Sequence, residues 1–353
     1  MKKFIDMKQY GLTEDFESEV DKYKNLSVAR ILSQEKGLYR IVTSQGEKLA
    51  EISGKFQFKI ARVSDYPAVG DFTMVNWNPS GNSAIIEYVL PRKSSFTRKA
   101  AGDTQQEQIV AANIDTVFIC MALNNDFNLR RLERCISIAW DSGATPVVVL
   151  TKSDLCNDLS NKLSEVYSIA LGIDILTTTT QEQNDYTKLF QYISDGKTVA
   201  FIGSSGVGKS TLINCLLGGQ YLKTNVLRND DKGRHTTTHR ELIMLPSGGM
   251  VIDTPGMREF GIWNNDAGIE KTFSDIEEFI CQCRFRNCTH SGEPGCAIQK
   301  ALDHGELEVE RWQSYLKLKN ENAYLENRES YLVAKGKREK EISKMIKKLP
   351  IKK

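Results

Sequence analysis

Hydrophobic and polar positions change rhythm three times along the chain, and each rhythm predicts a different kind of structure. Between residues 25 and 98, short apolar runs alternate with polar positions and stop at turn signals. Residues 27–32, 38–43, 48–52, 71–77 and 84–89 read as strands, broken at Gly46, Gly54, Gly70 and Pro79-Ser80-Gly81. Five short strands packed so closely predict a small closed barrel, an OB-fold or an SH3-like barrel. Residues 1–24 are polar, acidic in their second half, and read as a loosely held arm or short helix. Residues 91–108, with Arg92, Lys93, Arg98 and Lys99, read as a polar linker.

Over residues 99–265 the strands become almost continuously apolar (116–121, 146–150, 173–176, 198–202, 241–245 and 250–252) and helical patterns separate them. Residues 129–142 place Leu132, Cys135, Ile136 and Ala139 on one face, the pattern of a crossover helix. This predicts a mostly parallel, doubly wound sheet covered on both faces, with ligands held beyond its carboxyl ends. Over residues 266–353 the alternation stops. Cysteines cluster there, and residues 306–332 read as helical, with Trp312, Tyr315, Leu316, Tyr324 and Leu325 at apolar positions. The fold class is multidomain α/β: an arm (1–24), an OB-like β-barrel (25–98), a P-loop domain (99–265) and a helical domain with a basic tail (266–353).

The P-loop domain carries the chemistry. Gly203-Ser204-Ser205-Gly206-Val207-Gly208-Lys209-Ser210 follows the 198–202 strand and opens a helix at Lys209, with Thr211 next. The glycines let backbone N–H groups turn inward around phosphates at a helix N-terminus. Lys209 then reaches the β- and γ-phosphates, and the Ser210 hydroxyl binds Mg²⁺. Asp253-Thr254-Pro255-Gly256 follows the 250–252 strand, with Asp253 placed to hold Mg²⁺ through water and Gly256 N–H to touch the γ-phosphate. Thr151-Lys152-Ser153-Asp154 ends the 146–150 strand, and Asp154 can accept from guanine N1–H and N2–H₂, which adenine cannot offer together. GTP is therefore expected over ATP. Thr151 stands where GTPases usually carry Asn, a departure that touches the bracing of neighbouring loops more than the choice of base. Residues 177–180, all threonine, read as a second guanine loop.

The order of these motifs is as informative as their presence. The guanine loop precedes the P-loop, so the chain reads as a GTPase core whose guanine half has moved to the front. Residues 198–202 must then form the central strand. Between P-loop and Asp253 lies Gly233-Arg234-His235-Thr236-Thr237-Thr238-His239, where Thr237 or Thr238 is expected to supply a switch hydroxyl to Mg²⁺. Met257 occupies the place of the usual water-orienting Gln and cannot position water. His235 is the candidate base or water-orienter, although a loop histidine without a catalytic role would look the same.

Cys283, Cys288, His290 and Cys296 offer three thiolates and an imidazole within one short stretch, the donor set of a closed structural Zn²⁺ site. Cys281 is a possible competing ligand. The other cysteines, Cys120, Cys135, Cys156 and Cys215, stand singly and read as packing residues.

Composition alters this picture little. Charged residues make up 26% and hydrophobic ones 40%, an ordinary globular balance. No run approaches the ~18 apolar residues of a membrane span and no leader-like apolar segment opens the chain, so a cytoplasmic protein without disulfides is expected. The net charge of +2 hides a strongly basic tail from Lys335 onward, which would suit an RNA partner or be a solvated tail.

Together these strings resemble the ribosome small-subunit-dependent GTPase A family, the circularly permuted GTPases of 30S biogenesis. Gly-Arg-His-Thr-Thr-Thr at 233–238 and Cys-Arg-Phe-Arg-Asn-Cys-Thr-His at 283–290 carry the resemblance most specifically. It implies an OB-fold, a permuted GTPase domain and a zinc-bearing helical domain. It also implies slow GTP hydrolysis stimulated by the 30S subunit, contact with 16S rRNA, and release after late assembly. A monomer with one Zn²⁺ and Mg²⁺-GTP is expected. Two other classes compete: a metabolic P-loop kinase, which the guanine loop and Asp253 argue against, and a GTP-dependent RNA-binding scaffold with negligible turnover.

Overall fold

A short amino-terminal helix, α1 (Glu14–Val20), leads into five strands: β1 (Ser27–Glu35), β2 (Leu38–Thr43), β3 (Gly46–Ile52), β4 (Phe72–Trp77) and β5 (Ser83–Val89). The computed structural model describes residues 4–35, 37–77, 83–99, 107–179, 185–222, 240–253 and 266–323. His235, Thr237, Thr238, Gly256, Met257 and the basic tail lie outside these residues. The five strands run in the order β1-β2-β3-β5-β4 and close by pairing β4 back onto β1. β3 and β5 are parallel and the other pairs antiparallel. This is the Greek-key closure of an OB-fold, and it answers the choice the strand count left open. Alternation supplies the filling: Ala29, Ile31, Tyr39, Ile41, Ala50, Val75, Ala84 and Ile86 point inward. α2 (Gly54–Lys59) follows β3, capped by the Ser53 hydroxyl accepting from Phe56 N–H.

The arm is not loose. Met7 and Phe16 are buried, Phe16 packs on Phe72 with ring centroids 4.4 Å apart, and Ile5 N–H donates to Ser44 O. Two apolar residues in a polar stretch were enough to dock it. The predicted linker is also structured, since it holds β6 (Ser95–Lys99), paired antiparallel with β7 (Glu107–Ala112). Phe96 is buried, and the Ser94 hydroxyl exchanges hydrogen bonds of 2.6 and 2.7 Å with the backbone of Ile114. A count of charges passes over one buried ring.

The remaining strands are β8 (Thr116–Ala122), β9 (Thr145–Thr151), β10 (Ile175–Thr177), β11 (Thr198–Ile202), β12 (Glu241–Met244) and β13 (Met250–Asp253). They lie in the order β10-β9-β8-β11-β13-β12, parallel except for β12, with β11 inside as expected. α3 (Leu129–Asp141), α4 (Leu159–Ile169) and α5 (Lys209–Leu217) make the connections. Phe118, Val147, Val149, Val199, Phe201, Ile213 and Leu216 belong to one core beneath the P-loop.

Barrel and sheet are continuous. Ser33 of β1 pairs with Glu241 of β12, and Arg40 bonds the Glu241 carboxylate across the seam. Beside the seam, Arg30 is buried. It donates to Gly70 O and Asn113 O at 3.1 and 3.2 Å, to Thr198 Oγ1 at 2.9 Å, and to Tyr10 O. Burial lowers its pKa to about 10, so it stays charged at neutral pH. A charge this costly to bury holds β1 against the first residue of the P-loop strand.

The chain divides into two compact units, Met1–Gly261 and Ile262–Lys353. The second contains α6 (Asp266–Thr272), α7 (Ser274–Cys281), α8 (Ala297–His304) and a further helix, α9, over residues 309–323. Ile269, Phe273, Ile276, Ile298, Leu307 and Tyr315 are buried there. Arg311 clamps it, donating to both Asp275 oxygens at 2.8 and 2.6 Å while its guanidinium lies over the Phe273 ring. Among the described residues, no helix is long and apolar enough to cross a membrane.

Candidate nucleotide site and cysteine cluster

β11 ends at Ile202 and α5 starts at Lys209, so residues 203–208 form the turn between a central strand and a helix N-terminus. Gly203 has φ +137°, and a Cβ there would lie 2.2 Å from the Cys120 carbonyl oxygen of neighbouring β8. Only glycine lets the loop leave the sheet at that point. Gly208 adopts φ +101° as the N-cap of α5. Lys209 Nζ arches over the loop and donates to Gly203 O and Ser204 O at 2.7 and 2.5 Å. A flexible ammonium with carbonyl partners can exchange them for phosphate oxygens at modest cost.

Thr151 closes β9 and is buried. Its hydroxyl donates to the P-loop carbonyl of Val207 at 2.6 Å, so the threonine does brace the neighbouring loop. Thr151 stands where Asn usually supplies this bracing, and its side chain is the shorter of the two. The close approach of β9 to the P-loop makes the shorter reach sufficient. Lys152 then takes a left-handed conformation, φ +57° and ψ +41°, and residues Ser153–Leu155 form a single 3₁₀ turn. That strained residue turns the chain sharply at the sheet end, the kind of cost found where a site requires it.

The loop after β10 fixes Asp154. Ser153 N–H donates to Thr178 O at 3.2 Å, and Thr179 Oγ1 donates to Asp154 Oδ1 at 2.7 Å. Thr179 is itself anchored, its N–H donating to Asp185 Oδ2 at 2.8 Å, while Lys188 pairs with Asp185 at 2.5 Å. The threonine run signalled this loop in the sequence. The supporting Asp185 carried no signal, because its partner is a backbone amide.

Asp253 closes β13, two strands of the sheet away from the β8 edge of the P-loop. Burial raises its pKa to about 6, partly offset by the Lys209 ammonium and reinforced by Glu241. Its carboxylate thus sits in a poorly solvated place near the P-loop lysine, where a cation would favour the ionised form. Residues Thr151–Asp154, Gly203–Thr211 and Asp253 all lie at the carboxyl ends of parallel strands. The remaining candidates, Gly256, His235 and Thr237, fall outside the described residues.

In the second unit, one ligand atom each from Cys283, Cys288, His290 and Cys296 lie within 4.8 Å of one another. His290 Nδ1 is 3.6 Å from Cys283 Sγ and 3.5 Å from Cys296 Sγ. Zn–S and Zn–N bonds of tetrahedral geometry would separate sulfur from nitrogen by about 3.5 Å, so the donors fit zinc in kind and spacing. His290 reaches inward from a left-handed backbone, φ +58°, and its ring stands edge-on to Trp312 at 5.6 Å. Cys283 Sγ and Cys296 Sγ accept backbone N–H groups from Ala297 and Gln299, both at 3.4 Å, as thiolates do. Glu293 stiffens the outer turn. Its carboxyl pKa is held down to about 2 by the Thr289 hydroxyl and amide and by Ser291 N–H. Cys281 is exposed and does not join the cluster.

Comparison with known proteins agrees with this geometry. The RsgA GTPase family model matches residues 89–263. An ABC transporter model matches residues 187–352, a span that includes the P-loop but not Thr151–Asp154. A small ribosomal subunit biogenesis GTPase RsgA 2 of Lactiplantibacillus plantarum is 47% identical over 321 residues, covering 91% of this chain and 90% of the relative. A small ribosomal subunit biogenesis GTPase RsgA 1 of Oceanobacillus iheyensis is 44% identical, covering 89% and 90%. The crystal structure of YjeQ from Thermotoga maritima superposes with a TM-score of 0.64 at 25% identity, covering 84% of this chain and 99% of that one. The structure of YloQ, described as a circularly permuted GTPase, gives 0.61 at 24% identity, covering 86% and 96%.

Proposed function

The chain belongs to the RsgA GTPase family, and from that premise we propose that it hydrolyses GTP to GDP and phosphate in late maturation of the small (30S) ribosomal subunit, stimulated by that subunit. The observation that carries the reading is the 2.6 Å bond from Thr151 to Val207 O. It joins the guanine-reading loop to the phosphate-binding loop although the two stand in reversed order in the chain.

In this reading the N–H groups of Gly203 to Thr211 and the Lys209 ammonium hold the phosphates, and Lys209 draws charge from the β–γ bridge as it breaks. Asp154, held by Thr179, accepts from the guanine edge, and the Lys152 stem covers the base. Ser210 and Asp253 offer the hydroxyl and carboxylate oxygens that Mg²⁺ prefers, with Thr237 as the switch hydroxyl. Mg²⁺ would neutralise the developing phosphate charge. Gly256 N–H contacts the γ-phosphate, and His235 orients the attacking water where Met257 cannot. Cys283, Cys288, His290 and Cys296 hold one structural zinc, which fixes the fold of the second unit. The protein acts as a cytoplasmic monomer on 16S rRNA.

Single-turnover hydrolysis of radiolabelled GTP, with and without 30S subunits, tests the proposal. A subunit-stimulated rate is expected. Tight GTP binding with no hydrolysis in either condition would favour the scaffold reading, for which the Met257 substitution speaks.

A further inference from the structure

We propose that the loop between Cys283 and Cys288 is a stacking site for an unpaired RNA nucleotide, with Phe285 as the platform and Arg284 and Arg286 as phosphate contacts. This rests on the reading of ribosomal RNA as the partner and names the chemistry of one contact.

The loop is stiff yet outward-facing. Both ends are cysteines of the Cys283/Cys288/His290/Cys296 cluster, Arg284 N–H donates to Gly295 O at 3.1 Å, and Cys288 N–H donates to Phe285 O at 3.2 Å. Arg284, Phe285, Arg286 and Asn287 are nevertheless four consecutive exposed residues, and Phe285 leaves 44% of its surface in solvent. The Arg284 guanidinium stands 5.5 Å from the Phe285 ring centroid. Among the described residues, the side chains of Arg284, Arg286 and Asn287 make no hydrogen bond or ion pair. Two other cations among the described residues of this unit are spent internally: Arg311 on Asp275, and Lys319 on Asp266 and Glu270.

A rigid loop that presents a partly exposed aromatic ring beside a guanidinium, with two guanidinium groups and an amide lacking hydrogen-bond and ion-pair partners, has the donor pattern of a nucleotide contact. A base stacked on an aromatic ring contributes about 1–3 kcal/mol, and the neighbouring arginines can grip phosphate through paired N–H donors. One exposed ring is far short of the ~800 Å² per partner of a stable protein interface, which disfavours a protein occupant. Bases within a duplex already stack on each other, so an unpaired nucleotide is required.

The test uses the full-length, zinc-loaded chain and two fluorescent RNA probes, a single-stranded oligoadenylate octamer and an eight-base-pair duplex. Phe285→Ala should weaken octamer binding about tenfold or more with zinc content unchanged. Phe285→Trp should retain or tighten it, and duplex binding should be insensitive to both. Arg284→Gln with Arg286→Gln should instead flatten the salt dependence of octamer binding. Should Phe285→Ala lose zinc, Phe285→Leu decides, because it keeps apolar bulk and removes the ring: weakened binding supports the site and wild-type binding overturns it. Unchanged octamer affinity in zinc-replete Phe285→Ala, or equal losses on the duplex, would also overturn it. The function proposal fails separately, through absent stimulation of wild-type hydrolysis by 30S subunits.

Discussion

In the nucleotide region, residues as distant in sequence as Thr151, Thr179, Val207 and Asp253 come to one end of a sheet. In the cysteine cluster, all four donors come from residues 283–296, a single loop followed by the first turn of α8. The first site is held by strand pairing, a buried core and hydrogen bonds between loops. The second has little beneath it, since most residues between 282 and 295 are exposed. A site assembled from distant segments keeps its shape without ligand because the sheet fixes it. A site on a short exposed loop needs the ligand to become part of the fold.

The largest predicted effect follows directly. Structural zinc contributes about 10–16 kcal/mol at neutral pH in small domains, so chelation should unfold the second unit. Far-UV circular dichroism should report lost helix, while GTP affinity stays nearly unchanged because the nucleotide residues lie in the other unit. Parallel loss of GTP affinity would erase the contrast. Cys288→Ser should show the same separation.

Within the nucleotide region, Asp154→Asn should lower GTP affinity by about 1.5–3 kcal/mol, the loss of hydrogen bonds from the guanine edge to a charged acceptor. Affinity for xanthosine nucleotides should rise relative to GTP, because the amide now offers a donor. Competition binding with both nucleotides checks this, and an unchanged preference would remove Thr151–Asp154 as the base reader.

A smaller loss is expected for Thr151→Val, which preserves shape and orphans the Val207 carbonyl. The cost should be about 1–3 kcal/mol in GTP affinity, whereas Thr151→Ser should keep most of the binding. Equal behaviour of Val and Ser would show that the brace is not what joins the two loops.

The mildest effect is one of pH. Burial pushes the Asp253 carboxyl up to about 6, and it must be ionised to hold Mg²⁺-bound water. Turnover at limiting Mg²⁺ should therefore halve near pH 6 and fall about tenfold per unit below it. High Mg²⁺ should move the midpoint down. The sign for stability is opposite: a raised carboxyl pKa means that the metal-free chain loses stability as pH rises through about 6. A midpoint indifferent to Mg²⁺ would detach Asp253 from the metal.

The sequence made the strands, the P-loop and the cysteine donors legible because each depends on local rules. Alternation at 38–43 and apolar runs at 116–121 and 198–202 mark faces that must be buried. The glycines at 203, 206 and 208 mark backbone that other residues resist. The loose-arm reading of residues 1–24 and the linker reading of residues 91–108 misled for one reason, namely that average polarity conceals single anchors such as Phe16 and Phe96, whereas the short-helix alternative for the arm is met by α1. His235, Thr237 and Gly256 lie outside the described residues, so their roles rest on sequence alone.

By itself, then, the sequence marked most of the strands though not β6 and β7, the glycine-rich turn after β11, the cluster of cysteine and histidine donors, and the reversed order of the motifs. Tertiary structure decided the rest. It closed the barrel by pairing β4 onto β1, extended the sheet from β12 into β1, and buried Arg30 at that junction. It also let a threonine hydroxyl do the bracing usually done by asparagine, and brought Asp185 behind Thr179. These depend on distances between segments remote in the chain. Local periodicity encodes which face of a segment is buried, but not which partner it is buried against.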